Sequence, residues 1–210
     1  MINNNEDSAH EYEHRYIEMA DRTAYKLNEE GRITIPRAAH FTVGLGVLGL
    51  SPMNDRERDY ILGAIGPTDS VLEIGTFHGA SAAYWAQARP DAFFVSIDDY
   101  ESHKDCSLVA AYANRQPNQV LIIGKSKTLL NLLQRKFDLI FIDADHREDG
   151  CKADLSMCLN LVEDDGVIIC HDYYPKDEGR VASAVDEFNG TQGWKIVRVY
   201  QHLAILRKQK

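Results

Sequence analysis

Ten residues in this chain combine types and spacings that could do chemistry, and all of them stand at or just beyond the ends of apolar runs. The run "FDLIFIDADHRED", residues 137–149, opens apolar and ends in Asp143, Asp145 and His146. "GVIICHD" ends in the adjacent pair His171 and Asp172. "SVLEIG" ends in Glu73 and Gly75, with Gly79 following; "AFFVSID" ends in Asp98; "QVLIIG" is followed by Ser126. Burying carboxylates is costly unless something pairs them, so a cation, a proton or water must wait beyond Asp143. Asp143, His171 and Asp172 are hard or borderline donors that suit a divalent ion with positions left open for substrate oxygens and water. An imidazole such as His146 can exchange a proton near neutrality.

The elements that must position these residues are legible as a rhythm. Apolar runs without strict alternation suit parallel strands covered on both faces. They alternate with helical segments near 80–88, 105–115, 127–135, 150–162 and 180–189, which predicts an α/β fold: a doubly wound Rossmann-like sheet with helices on both faces. "GWKIVRVYQHLAILRK" reads as two tightly joined strands, so an antiparallel hairpin closes an otherwise parallel sheet. Such sheets bind ligands beyond the carboxyl ends of their strands, and each residue singled out above falls there. Neighbouring strands lie ~4.8 Å apart, close enough for Asp143 and the His171–Asp172 pair to share one ion. Ahead of the sheet, a helix carrying Tyr60, Ile61, Leu62 and Ile65 is expected to end with Gly66 as its C-cap.

Residues 1–51 read as an extension and 52–210 as the main domain. Within the extension, about Ser8 to Asn28 has helix-forming composition. Gly31 to Leu50 is an irregular stretch, rich in glycine and apolar residues, expected to form a flap over a ligand. Its "FTVGLGVLGL" portion is also a candidate dimer contact. No apolar run reaches the length of a membrane span, and no secretory signal is evident, so a cytoplasmic protein is expected. The net charge of -9, with scattered basic residues, disfavours a nucleic-acid partner. The cysteines Cys106, Cys151, Cys158 and Cys170 form no CxxC pair, so reduced, buried thiols are expected.

The glycine spacing after the first strand is GxxxG. A dinucleotide turn wants GxGxxG, so NAD is disfavoured. "IIGKSKTL" lacks the glycine a phosphate loop needs at position 119, which is Gln119. The ordered set of E-x-G-x-x-x-G, an acid ending the second strand, G-x-S after the third and a terminal hairpin resembles class I S-adenosylmethionine-dependent methyltransferases over roughly residues 52 to 208. That resemblance implies S-adenosylmethionine as cofactor, with Glu73 near its methionine amino group and Gly75 and Gly79 admitting it. It places Asp98 on the ribose and Ser126 near the adenine. "IDADH…GVIICHDY…AVDEF" resembles the metal-dependent branch, catechol-type and sugar O-methyltransferases. There the base lies three residues beyond the first metal ligand, here His146, with Asp143, His171 and Asp172 on Mg²⁺ or Mn²⁺. His171 departs from the acid or amide usual in that branch. Tyr173 and Tyr174 are expected to line the pocket of a small-molecule acceptor. Alternatives from the same residues are a metal-free methyltransferase, a metal-dependent hydrolase or hydroxylase-like enzyme, and a silent cofactor-binding module.

Overall fold

The computed structural model describes residues 26–27, 33–34, 53–100, 110–112 and 114–209. Two short strands, β1 (Lys26–Leu27) and β2 (Ile33–Thr34), pair antiparallel with each other. Lys26 and Leu27, at the end of the expected N-terminal helix, are therefore strand. The rest of that helix, the flap apart from Ile33–Thr34, and the candidate dimer segment lie outside the described residues.

The main sheet has seven strands in the order β5-β4-β3-β6-β7-β9-β8. The strands are β3 (Ser70–Ile74), β4 (Phe93–Asp98), β5 (Gln119–Ile123), β6 (Phe137–Ile142), β7 (Val162–Cys170), β8 (Trp194–Tyr200) and β9 (Leu203–Lys208). The first five run parallel, while β9 pairs antiparallel with both β7 and β8. Helices α1 (Asp55–Ala64), α2 (Ala80–Ala88), α3 (Ser126–Leu129), α4 (Glu148–Cys158) and α5 (Val181–Phe188) connect them.

Alternate strand residues point to opposite faces, and the core divides accordingly. Leu72, Ile74, Ile140 and Ile142 pack with Cys151 and Leu155 of α4 and Val185 of α5. Val71, Leu139, Phe141 and Ile169 pack with Ile61 of α1 and Trp85 of α2. Each such side chain contributes roughly 1.5–3 kcal/mol by leaving water. Trp85 meets Phe141 edge-on with ring centres 5.4 Å apart, and its Nε1 donates to Arg58 O at 3.0 Å, fastening α2 to α1. Cys151, Cys158 and Cys170 are free and buried. No helix among the described residues is long and apolar enough to cross a membrane.

Helix boundaries differ from the expected ones. Residues 126–129 make only one turn of α-helix, followed by a 3-10 turn at Leu130–Leu132. Helix α4 ends early because the chain is already in β7 at Val162, and β7 shifts register against β6 between Phe137 and Leu139. Ile65, not Gly66, caps α1 in an extended conformation. Gly66 N donates to Asp69 Oδ2 at 2.7 Å, and a Cβ there would meet Asp69 Oδ1 at 2.6 Å.

The strand order reverses between β3 and β6, the switch point at which such sheets open a crevice. Backbone hydrogen bonds carry the ladder one step past the strand ends. Gly75 N donates to Ile97 O, Gly124 N to Asp98 O, Asp143 N to Ile74 O, and His171 N to Ile142 O, at 2.8 to 3.0 Å. The polar residues at this edge are thus held by the sheet itself.

Candidate active site

Asp143, His146, His171 and Asp172 converge where β6 and β7 end. His146 Nε2 lies 3.4 Å from Asp143 Oδ1 and 3.1 Å from Asp172 Oδ2. His171 Nδ1 lies 3.2 Å from Asp143 Oδ1 and 3.4 Å from Asp172 Oδ1. Asp172 reaches the cluster from a left-handed backbone, φ 54°, a conformation rare outside glycine and concentrated at functional sites. One ligand atom each from Asp143, His146 and Asp172 lie within 4.8 Å of one another.

The electrostatics follow from this packing. Burial alone would raise the Asp143 pKa, but hydrogen bonds and charge from His146 and His171 hold it at about 2. Burial would lower that of His171; Asp143, Asp172 and Glu57 outweigh it and lift it to about 9. His146 is raised, chiefly by its hydrogen bond to Asp143 and against partial burial.

Glu57 was not singled out from the sequence, yet it belongs to this cluster. It is 1% exposed and meets His171 Nε2 at 3.3 Å. The only local signal is the Asn54-x-x-Glu57 pattern of a helix start. Asn54 Oδ1 does cap Glu57 N at 3.1 Å, but nothing local foretells the reach of Glu57 to β7.

Beside the cluster opens a cleft of about 1200 Å³, lined by Gly75, Phe77, Asp98, Ser126, Asp143, His146, Asp154 and Arg180 among others. Asp98 accepts Phe77 N on Oδ2 and Tyr100 N on Oδ1, both at 2.9 Å. These bonds hold two further left-handed residues, Phe77 (φ 49°) and Tyr100 (φ 55°). Ser126 Oγ donates to Asp154 Oδ1 at 2.6 Å. Asp154, whose pKa burial raises, is a cleft residue that the sequence did not disclose, since it sits mid-helix on α4.

The remaining expected residues sit differently. Glu73 is 3% exposed and is not among the residues lining the cleft. It accepts from Thr76 Oγ1, and burial raises its pKa to about 7 despite hydrogen bonds from Thr76 and Ser96. Gly79 caps α2 at φ 70°, and a Cβ there would come within 3.1 Å of Ala111 Cα. At Gly75, φ 88°, a Cβ would lie 2.1 Å from Asp143 O, so glycine is demanded by the passage of β6. Asp145 caps no helix by its side chain. It takes Arg147 N at 3.0 Å and pairs with the Arg147 guanidinium, which holds its pKa at about 2. Neither tyrosine lines the cleft. Tyr173 is buried with its hydroxyl donating to Asp186 Oδ1 at 2.7 Å, and Tyr174 stacks on His202 with centres 4.4 Å apart.

Residues 72–173, the span holding Glu73, Asp98, Asp143, His146, His171 and Asp172, match the family model of a methyltransferase domain. That span is similar to a methyltransferase domain, and its seven-stranded sheet has the order and antiparallel edge of the class I methyltransferase fold. No curated protein matches the chain. Among solved structures, it is similar to a Staphylococcus aureus protein provisionally assigned as a caffeoyl-CoA O-methyltransferase, at 19% identity and a TM-score of 0.62 over 76% of this chain and 86% of that one. It is similar over 100% of its length to the Podospora anserina methyltransferase PaMTH1 bound to S-adenosylhomocysteine, covering 99% of that chain at 18% identity and a TM-score of 0.59. The methyltransferase MycE of the mycinamycin biosynthetic pathway, in complex with Mg and S-adenosylhomocysteine, shares 15% identity and a TM-score of 0.53 over 68% of this chain and 46% of that one. At these identities the three share the methyltransferase fold. Another neighbour of the same fold, from Clostridium thermocellum, is described as an rRNA methylase, so the fold does not choose the acceptor.

Proposed function

We propose that this methyltransferase modifies a hydroxyl of a small molecule, sugar or phenol in type, with a divalent cation at Asp143 and Asp172. The observation that carries the reading is the convergence of those two carboxylates and two imidazoles at the cleft mouth. The donor atoms suit an ion whose bonds run about 2.0–2.4 Å: Asp143, Asp172 and His146 offer atoms within 4.8 Å of one another, and His171 Nδ1 lies 3.2 Å from Asp143 Oδ1 and 3.4 Å from Asp172 Oδ1. His171 Nδ1 serves as third donor and leaves His146 to act as base. MycE, whose structure holds Mg and S-adenosylhomocysteine on this fold, supports the reading.

S-adenosylmethionine supplies a methyl group on a sulfonium, ready for in-line displacement. Asp143 and Asp172 would hold a cation, which would supply Lewis acidity to an acceptor hydroxyl. Asp98 and Ser126, which line the cleft, would hold the ribose and the adenine end of the cofactor. His146 takes the hydroxyl proton, and Asp172 Oδ2, 3.1 Å from its Nε2, stabilises the imidazolium so formed. The walls carry five aspartates beside Lys125, Lys127, Arg147 and Arg180, so it is the chain's net charge of -9 that favours a small neutral acceptor over a phosphate backbone. The same charge and the absence of an apolar span in the sequence accord with a cytoplasmic enzyme.

A metal-free methyltransferase is the second reading, favoured by one observation. His171 stands between Asp143, Asp172 and Glu57 with its pKa lifted to about 9, so it could itself neutralise the acids. The test is transfer of labelled methyl groups to a panel of sugars and phenols, with Mg²⁺ or Mn²⁺ and with excess chelator, alongside calorimetry of S-adenosylhomocysteine binding. Activity lost in chelator and restored by Mn²⁺ is expected. Full activity in chelator makes the metal-free reading correct.

A further inference from the structure

We infer that Glu57 is a positioning residue that turns His171 into a metal ligand through Nδ1; this rests on the cation reading above. Two strong acids already flank the site, so a third carboxylate buried beside it calls for a reason. Glu57 comes from the first turn of α1, is 1% exposed, and is fully engaged. Its Oε2 accepts from Asn54 Nδ2 at 2.6 Å and meets His171 Nε2 at 3.3 Å. Its Oε1 accepts His202 N at 2.9 Å and meets His202 Nδ1 at 3.2 Å. Asn54 and the backbone of His202 therefore fix both oxygens, one from the helix start and one from the β8–β9 turn.

The consequence falls on the ring of His171. A carboxylate accepts only, so a hydrogen bond to Glu57 requires the proton on Nε2. Nδ1 faces Asp143 Oδ1 at 3.2 Å and Asp172 Oδ1 at 3.4 Å; a cation between those carboxylates would displace the proton Nδ1 otherwise shares with them and take its lone pair, while Glu57 keeps the proton on Nε2. Nδ1 is thus within reach of both carboxylates, where a third donor to a shared cation would stand. A ligating histidine whose second nitrogen gives its proton to a carboxylate is a recurrent arrangement, and loss of the outer carboxylate weakens metal binding by roughly 10–100-fold. Glu57 also explains why a histidine can stand at a position where carboxylates are usual in the resembling branch: the missing acid is displaced outward, onto the far side of the ring.

The experiment is Mn²⁺ titration followed by the electron paramagnetic resonance of free Mn²⁺, on the full chain. Wild type should bind one ion at the site. E57Q should bind it 10–100-fold more weakly, with S-adenosylhomocysteine affinity unchanged. H171A should lose at least as much, and the double variant should be no worse than H171A, because Glu57 acts through His171. Wild-type Mn²⁺ affinity in E57Q, or additive losses in the double variant, overturns the inference. No Mn²⁺ binding by wild type overturns the cation reading itself. Nitrogen-15 spectra of the Mg²⁺-loaded wild type need no variant: a proton on Nε2 of His171 is expected, and a proton on Nδ1 instead overturns the assignment.

Discussion

His146 Nε2 stands 3.1 Å from Asp172 Oδ2, although His146 follows β6 and Asp172 follows β7. Parallel pairing in register, Ile142 beside Cys170, brings them together. An imidazole set between Asp172 and Asp143 gains a stabilised positive charge when it takes a proton. His146→Ala should therefore lower turnover by about 10²-fold or more, the usual scale for a lost general base. Mn²⁺ and S-adenosylhomocysteine affinities should be unchanged. Steady-state rates and calorimetry on the variant check both halves; wild-type turnover would remove His146 from the reaction.

Asp143→Asn should cost cation affinity and activity together. The Asp143 carboxylate, like that of Asp172, touches both His146 and His171, and its charge raises their proton affinity. Its amide replacement keeps the shape but not the charge. Cofactor affinity, set by the other wall of the cleft, should hold. A chelator-insensitive variant with wild-type turnover would count against any cation at this edge.

Asp98→Asn is a sharper cofactor probe than alanine, because Asp98 also holds Phe77 N and Tyr100 N. Charge-assisted hydrogen bonds contribute roughly 1.5–3 kcal/mol, so S-adenosylhomocysteine should bind about tenfold more weakly or worse. Calorimetry with a matched thermal melt separates lost binding from a loosened loop.

What was legible in the sequence, and what was not, divides by the range of the interaction. Parallel strands buried on both faces are continuous apolar runs, so Ser70–Ile74, buried throughout, and Phe137–Ile142 could be read directly. That Asp98, Ser126, Asp143 and His146 would gather along one cleft was legible because ligand crevices in such sheets open beyond the strand ends. The short α3 was not, since its break into a 3-10 turn is set by packing and not by propensity. Glu57 and His171 are 114 residues apart, and no local pattern joins them. Tyr173 misled because an aromatic beside a site and an aromatic in the core have the same letter; its hydroxyl finds Asp186 on α5.

Gly75→Ala tests how closely β3 and β6 must pass. The added Cβ would lie 2.1 Å from Asp143 O and 2.5 Å from Asp143 C, both backbone atoms, at φ 88°. Left-handed strain and overpacking each cost about 1–3 kcal/mol. The variant should unfold at a lower urea concentration by roughly 3 kcal/mol or more. A stability loss under ~1 kcal/mol, within reach of ordinary surface changes, would mean the strand ends can part, and that Asp143 is less rigidly placed than the ladder implies.

Glu73 makes the fold sensitive to pH in a defined window. Burial beneath the strand ends raises its pKa from 4.5 to about 7, with Thr76 and Ser96 pulling the other way. A carboxyl that keeps its proton in the folded state, while the unfolded chain releases it above 4.5, favours folding most at low pH. Between those values the folded state binds more protons, so stability falls as pH rises and is flat above about 7. Each pH unit of difference is worth about 1.4 kcal/mol, so the window spans about 3 kcal/mol. Other carboxylates titrate in the same range, which makes the difference between wild type and Glu73→Gln the informative quantity. The amide stays neutral throughout and keeps an oxygen for Thr76 Oγ1. Urea midpoints at pH 5 and pH 7.5 should therefore bring the two proteins closest at pH 5 and favour Glu73→Gln by up to about 3 kcal/mol at pH 7.5. Equal pH dependence in both would mean that Glu73 is already ionised in the fold at pH 5, in which case its charge is held by a cationic group at the sheet edge, the role the methyltransferase resemblance gives it.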